Sequence, residues 1–510
     1  LIATQQGKTG ESSRSHVKDV WLYANGASVP VSTLDGVAGR FKVSFWVGDD
    51  GVLDFGVENL SDQDRGYSSS GMNFFAMDDY SLEYKGTDGL SSDYALLRDS
   101  ARSVGPDDVP SGVYEALESA LENSTPGLSD MVTLQQALGD AGRIMARYGD
   151  YHPVYEQIRS YAGSGEVTDA SLTSALSSYA SSTDSRSYYR AYDSLVKAWD
   201  TVLPTVPAAV DVSWRLRNRA LQPSPSDMMY DYATGWDTDA DGGNFRVFAI
   251  DGSDAGRGDA EGANMIERFC TGNFFDNQNL IYQRMSGLPS GRYVFRASAQ
   301  RGADQGSIVL FANGSSSCVL SNKVLKDCEV STDVTDGILS VGLKSSSGNG
   351  CQWVSLADPR LEYHSPVQLL GEAIAEASSL DYGTDTGGAL SSALSSARSA
   401  LSSGDASQRM SAYSSLVSAI SSYRLANASS SHPYDMTSSV KNPDFNLRNT
   451  SSWVLTGGGG NYPAYNQGVM EFWHVAFDLS QSLTDLPAGN YRISVQGRSD
   501  RGESNRSFSL

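Results

Sequence analysis

The sequence predicts a multidomain chain in which all-β jelly-roll sandwiches alternate with all-α three-helix bundles. Three observations carry this expectation. The chain repeats itself at long range, the repeated stretches alternate apolar and polar residues with period two, and the stretches between them switch to a helical period. At 510 residues it is also too long for a single core.

Residues 1–88 read as the C-terminal part of a β-sandwich module. Tyr23-Ala24-Asn25-Gly26 precedes Gly51-Val52-Leu53-Asp54-Phe55-Gly56-Val57, and the segment closes on Phe74-Phe75-Ala76-Met77-Asp78-Asp79-Tyr80-Ser81-Leu82-Glu83-Tyr84. Between them, Arg40-Phe41-Lys42-Val43-Ser44-Phe45-Trp46-Val47 alternates as a half-buried antiparallel strand does. Residues 89–148 and 149–204 then read as two helical bundles in series. Their apolar stripes include Leu172, Ala175, Leu176 and Tyr179, then Tyr188, Tyr192, Leu195 and Trp199.

Residues 205–364 read as one complete sandwich module. Here Phe311-Ala312-Asn313-Gly314 precedes Gly337-Ile338-Leu339-Ser340-Val341-Gly342-Leu343, and the module closes on Trp353 to Tyr363, which repeats the order of blocks in residues 1–88. Short strands spread over such a length imply two packed sheets, most simply a jelly roll. Residues 365–428 read as a three-helix bundle: Leu390, Ala393, Leu394, Ala397 and Leu401 form one stripe, and Asp405 with Gln408 is a capping box ahead of Tyr413, Leu416, Val417 and Ile420. Residues 437–510 read as the N-terminal part of a further sandwich. Leu486-Pro487-Ala488-Gly489-Asn490-Tyr491 repeats Leu288-Pro289-Ser290-Gly291-Arg292-Tyr293, with Gln481 matching Gln283 and Trp453 matching Trp236. The two partial pieces together are about as long as the complete copy, so they are candidates to pair as complementary halves of one sandwich. The start at Leu1-Ile2-Ala3-Thr4, without an initiator Met or a charged-then-apolar leader, fits a removed signal peptide or a fragment, and the repeats favour a fragment.

Composition narrows the partners. The net charge of −22, with no offsetting basic run, disfavours nucleic acid and anionic lipid. No apolar run approaches the roughly 18 residues of a membrane-spanning helix, so no membrane insertion is expected. Cys270, Cys318, Cys328 and Cys351 lack zinc-site spacing; disulfides in an oxidising compartment and buried free thiols both remain open.

No catalytic constellation stands out. His16, His152, His364, His432 and His474 are scattered, no nucleophile elbow or Walker loop occurs, and Gly457-Gly458-Gly459-Gly460 lacks a following Lys-Ser/Thr. No enzyme activity is therefore expected in this chain, although a catalytic domain elsewhere in a parent protein is compatible with it. No cofactor is required. Asp237, Asp239 and Asp241 do match the opening of a calcium loop, with Gly242 at its turn, but Phe248 stands where the bidentate Glu belongs. The alternatives are a structural calcium and a solvated acidic turn.

Asn442-Pro443-Asp444-Phe445, Trp453, Glu471-Phe472-Trp473, Gln481, Leu486 to Tyr491 and the closing Asp78 to Tyr84 together resemble a secreted or surface repeat protein of gut anaerobes. In that type, galactose-binding-like jelly rolls akin to carbohydrate-binding modules alternate with FIVAR-like helical bundles. The resemblance covers nearly all of the chain. It implies a non-catalytic extracellular or cell-surface array with helical spacers and a polysaccharide or other glycan as partner. The alternatives are an adhesin or structural stalk contacting a protein, and an accessory region of a larger glycan-degrading enzyme. Because flat rings stack on the apolar faces of sugars, the expected ligand contacts are Trp236, Trp453, Tyr462, Tyr465 and Trp473. The alternative for Trp236, Trp453 and Trp353 is core packing, since large aromatics dominate sandwich cores. Gln283 and Gln481, ahead of tight turns, are expected to satisfy buried backbone groups.

Overall fold

A computed structural model describes residues 2–6, 20–31, 39–60, 74–78, 80–122, 127–165, 167–221, 231–232, 235–239, 244–249, 264–269, 278–302, 307–320, 325–347, 353–443, 445, 452–457, 464–466, 469–472 and 475–497. Mixed β and helical regions follow one another along the chain.

Residues 1–88 contain β1 (Ile2–Gln6), β2 (Val20–Ala24), β3 (Ala27–Pro30), β4 (Gly39–Arg40), β5 (Phe55–Asn59) and β6 (Phe74–Asp78); the strand expected over 40–47 is corrected, because residues 41–48 form no strand. The strands pair as two small sheets, β4-β1-β6 and β3-β2-β5. Five helices follow: α1 (Leu90–Arg102), α2 (Ser111–Leu121), α3 (Leu128–Gly163), α4 (Ala170–Ala180) and α5 (Ser185–Val202). The boundary expected between two bundles at 148/149 is corrected, because α3 runs straight through it as one 36-residue helix. Its buried stripe of Met131, Leu134, Ala141, Ile144, Tyr151, Val154, Tyr155 and Ile158 continues on both sides of the boundary. Packing on both sides thus holds the helix across Pro153, which by itself removes one backbone hydrogen bond.

The middle segment supplies β7 (Val210–Asp211), β8 (Asp231–Tyr232), β9 (Asn244–Ala249), β10 (Asn264–Phe269), β11 (Asn279–Met285), β12 (Gly291–Arg301), β13 (Ser307–Ala312), β14 (Ser315–Val319), β15 (Lys326–Val334), β16 (Leu339–Ser347) and β17 (Trp353–His364). One sheet has the order β15-β12-β17-β10-β9-β8, with β7 also on β17, and the other β11-β16-β13-β14. Phe295 and Leu361 of the first sheet and Ile281, Leu310 and Leu343 of the second lie in one apolar core. That core does not stop at the helices: it runs without a break from Tyr94 through Trp199 and Val206 to Tyr363. Gln157 of α3 donates to the Asp211 carbonyl at 2.7 Å, and Arg215 pairs with Asp200 of α5, so polar links cross the same junction. Cys328 is disulfide-bonded, which decides between the two readings for that residue. Cys270 and Cys351 lie outside the described residues.

Three further helices, α6 (Pro366–Ser378), α7 (Ala389–Ser403) and α8 (Ala406–Ala426), pack around Leu370, Ala397, Leu416 and Ile420. The capping box is present: Asp405 accepts from the Gln408 amide at 2.8 Å and Gln408 accepts from the Asp405 amide at 2.9 Å. Beyond it lie β18 (Val454–Gly457), β19 (Ala464–Asn466), β20 (Val469–Glu471) and β21 (Phe477–Ser480), paired as β18-β21 and β19-β20. Among the described strands none of β1–β6 pairs with any of β18–β21.

The sequence repeat is a repeat of hydrogen bonds. Asn25 and Asn313 both take left-handed backbone, φ +43° and +49°, at the tips of the β2-β3 and β13-β14 hairpins. The Asn25 side chain donates to the Val52 carbonyl at 3.0 Å and accepts from the Asp54 amide at 2.8 Å. Asn313 does the same to Ile338 at 2.9 Å and Ser340 at 2.7 Å. Likewise Gln283 clamps the amide and carbonyl of Arg217 at 3.0 and 2.7 Å, and Gln481 those of Lys441 at 2.8 and 3.0 Å. Both glutamines therefore satisfy backbone groups, Gln283 in the interior as expected and Gln481 at groups open to solvent. Tyr293 and Tyr491 donate to Pro289 and Pro487 at 2.9 and 2.6 Å.

The two glutamines differ in burial: Gln283 is 0% exposed, whereas Gln481 is partly solvated. Gln283→Leu strands a buried amide and carbonyl and is expected to cost about 1–3 kcal/mol. Gln481→Leu is expected to cost clearly less, since water can replace the lost bonds. Urea unfolding of both variants measures the difference, and equal costs would contradict the burial argument.

Candidate functional site

Of the aromatic residues expected to meet sugar, Trp236 is 2% exposed and packed in the core, so its ring has no free face; the core reading holds for it. Trp353 is likewise 8% exposed, with Nε1 donating to the buried Glu267 carboxylate at 2.6 Å. Trp453 is half-buried; its Nε1 donates to the Asn442 carbonyl at 3.3 Å and its ring lies 5.2 Å from that of Phe445. Tyr465 sits in β19 opposite Met470 of β20. Tyr462 and Trp473 lie outside the described residues.

Asp237 and Asp239 are tied to the sheet, although Asp239 is also exposed. The backbone of Asp237 exchanges hydrogen bonds with Tyr282 at 2.8 and 2.9 Å, and its carboxylate faces Arg217 at 3.4 Å. Asp239 accepts from the Asn279 side-chain Nδ2 at 2.5 Å and from the Tyr282 hydroxyl at 2.9 Å. Both carboxylates are thus engaged by protein donors, an arrangement in which a cation would have to replace existing bonds. Asp241 lies outside the described residues. Among the described residues no group of three or more His, Cys, Asp or Glu side chains is placed to hold a metal ion.

A cleft that the sequence reading missed lies where the β2-β3 hairpin docks on the helices. Gly26 at the hairpin tip and Gly139 on α3 allow that docking, because a Cβ on either would collide with the facing segment. Gln135, 4% exposed, fastens the contact by accepting from the Trp46 amide at 2.9 Å and donating to the Asn25 carbonyl at 2.6 Å. The cleft has a volume of about 610 Å³, and Tyr23, Asn25, Asp50, Asp54, Gln136, Asp184 and Arg190 are among its lining residues.

Its floor is a charged network. Arg143 bonds Glu58 at 2.7 Å and Asp140 at 3.0 Å, and Asp140 also accepts from the Ser185 amide at 3.1 Å and hydroxyl at 2.6 Å. Arg186 closes on the other Glu58 oxygen at 2.7 Å and lies 5.6 Å above the Tyr23 ring. The hydrogen bond that Arg186 donates to Glu58 raises the Arg186 pKa above its ordinary value. With one Tyr23 face covered by Arg186, the cleft offers carboxylates, amides and guanidinium to hydroxyl groups more than it offers a stacking platform. In the complete copy the equivalent positions are Phe311 for Tyr23 and Ser340 for Asp54, so this polar lining belongs to the first copy.

No protein-family description matches the sequence, and no curated protein matches it. Several solved structures show a partial likeness. A Stig cyclase, Fisc from Fischerella sp. TAU, is 17% identical over 31% of this chain and 99% of its own, with a TM-score of 0.24. The CBM22-1 xylan-binding domain of Paenibacillus barcinonensis Xyn10C is 10% identical over 26% of this chain and 87% of its own, with a TM-score of 0.19. The CBM51-2 and INT domains of Clostridium perfringens ZmpB are 18% identical over 35% of this chain and 40% of their own, with a TM-score of 0.15. At such TM-scores these likenesses do not bear on what the chain does.

Proposed function

We propose that the chain is a non-catalytic, extracellular or cell-surface glycan-binding array, in which jelly-roll sandwiches are carried on three-helix spacers. The observation that carries the reading is the hairpin-helix cleft. Asp54, Gln136, Asp184 and Arg190 converge there as acceptors and donors for sugar hydroxyls, on a floor held in place by the Arg143 network. The polar cleft sits where the copies differ, as a specificity site in a repeat protein must. The disulfide at Cys328 is consistent with an oxidising compartment.

Titration calorimetry of the full chain against plant, host and microbial polysaccharides, with calcium and with a chelator, tests the reading. Binding is expected to at least one of them, and Arg190→Ala is expected to weaken it about tenfold, the effect of one charge-assisted hydrogen bond. Absence of binding across the whole panel would overturn it. A second reading, a stalk that holds other modules away from a surface, is favoured by one observation: the apolar core continuous from Tyr94 to Tyr363, which joins helices and sandwich.

A further inference from the structure

The chain enters and leaves the middle sandwich at one place. Helix α5 runs directly into one turn of 3-10 helix, Leu203–Thr205, and Val206 follows it. On the way out β17 ends at His364 and α6 begins at Pro366. Ser365, between them, is 0% exposed and bonds in both directions. Its hydroxyl donates to the Val206 carbonyl and accepts from the Gln368 amide at 3.0 Å, so one side chain caps α6 and ties it to the entry segment. Helix α6 also packs against the 3-10 turn. Residues 207–364 are thus a folded loop closed at its base.

Just inside that base β7 lies antiparallel to the end of β17, Val210 opposite Tyr363 and Asp211 opposite Glu362. Next, the Val212 amide donates to the Leu361 carbonyl at 2.9 Å. Ser213 Oγ accepts from the Leu361 amide at 2.9 Å and donates to the Leu361 carbonyl at 3.3 Å. Leu203, Val206, Val210 and Val212, all 0–1% exposed, bed the entry segment in the core shared with α3 to α5, and Gln157 of α3 holds the Asp211 carbonyl. The second bundle packs around its own core of Leu370, Ala397, Leu416 and Ile420, so the base joins two separately packed bodies.

We propose that this base is a mechanical clamp: tension along the chain crosses from α5 to α6 through Val206, Ser365 and the β7–β17 pair, and the sheets of the sandwich carry no load until the clamp opens. The covalent path between α5 and α6 runs through the whole sandwich, but a load takes the shorter path while its bonds hold. Both points of attachment lie at the same end of the β7–β17 ladder. The load therefore opens that ladder from its end, Val210–Tyr363 before Asp211–Glu362 and then the bonds to Leu361. On the array reading, on which this use of the clamp rests, tension arises when a glycan held by the chain is pulled away from the surface.

Magnetic tweezers on the full chain test the clamp, with handles on the exposed Thr201 of α5 and Glu372 of α6. The wild type is expected to lengthen in two steps, a short one as the base opens and a long one as the sandwich unfolds. At fixed load Ser365→Ala is expected to speed the short step about tenfold, the effect of a lost cap and a lost buried bond. Gln157→Ala is expected to speed it about threefold, as one hydrogen bond does. Val330→Ala, in the core of β15, is expected to do the reverse, speeding the long step and leaving the short one as it was. Unchanged circular dichroism confirms that the variants fold, and Gln157→Ala, at a half-buried site, carries the test if Ser365→Ala does not. A wild type that lengthens in a single step overturns the proposal. So does a short step that Val330→Ala speeds, or one that Ser365→Ala and Gln157→Ala leave unchanged. Pulling involves no glycan, so failure of the clamp and failure of the glycan-binding reading are told apart.

Discussion

Titrated upward from neutrality, the protein is expected to hold its structure to pH 10 and then unfold over a narrow range. Tyr179, Tyr188, Tyr192, Tyr293 and Tyr363 are 0–4% exposed, and burial raises the pKa of each above the ordinary 10.0. At Tyr179 the hydrogen bond with Tyr188 at 2.8 Å opposes part of that rise, and at Tyr188 the neighbouring Tyr179 adds to it. The sign follows from linkage. Below the unfolded value both states carry the phenolic proton, and stability is fully present. Above it the unfolded chain ionises while the folded one does not, so stability falls until the folded value is reached. Each phenol contributes a slope of about 1.4 kcal/mol per pH unit. Five acting together give about 7 kcal/mol per unit, enough to exhaust a typical margin of about 10 kcal/mol within two units.

Phenolate absorbance and far-UV circular dichroism, followed together, measure this. The steep part of the phenolate signal is expected to coincide with loss of helix. Ionisation of all tyrosines near pH 10 with the helix intact would contradict the burial of this set. Tyr188→Phe keeps the ring that stacks with Tyr151 and removes one titrating proton, so it is expected to lower the slope by about a fifth.

What the sequence made legible is what is local or repeated. The Asn25 and Asn313 hairpins, the Gln283 and Gln481 clamps and the Asp405–Gln408 box each use residues within one small motif, and the same physical need recurs in each copy. The 148/149 boundary was not legible, because the helical stripe has the same period on both sides and no cap interrupts it. The cleft was hidden for a different reason. Its contacts join Glu58 to Arg186, 128 positions apart, and Asn25 to Gln135, 110 apart, and no periodicity announces such pairs. Trp236 shows the limit of reading residue type alone, for a tryptophan suited to stacking on sugar is equally suited to filling a core.

Arg143→Met is expected to be among the most destabilising single substitutions in the chain. The Arg143 side chain is 5% exposed and its partners Glu58 and Asp140 are 12% and 10%, so removal of the cation leaves two carboxylates largely out of water with one positive partner, Arg186, at their edge. Removing one member of such a network typically costs about 3–5 kcal/mol, because the remaining charge is stranded rather than merely unpaired. Arg296→Met provides the contrast. Arg296 bridges Glu329 and Glu362 but is 41% exposed, and its partners are 58% and 32% exposed, so water screens the loss and the cost is expected below about 1 kcal/mol. Hydrogen exchange locates the damage. In Arg143→Met the amides of Val20–Ala24, whose sheet is held to α3 through Glu58 and Gln135, are expected to lose protection before those of β12. Removing Glu58 as well, as Glu58→Gln with Arg143→Met, is expected to recover part of the loss, because one stranded charge disappears with it. Equal costs for the Arg143 and Arg296 substitutions would show that the hairpin is not held to the helices by a buried network, and the cleft floor on which the proposed sugar contacts depend would lose its rigidity.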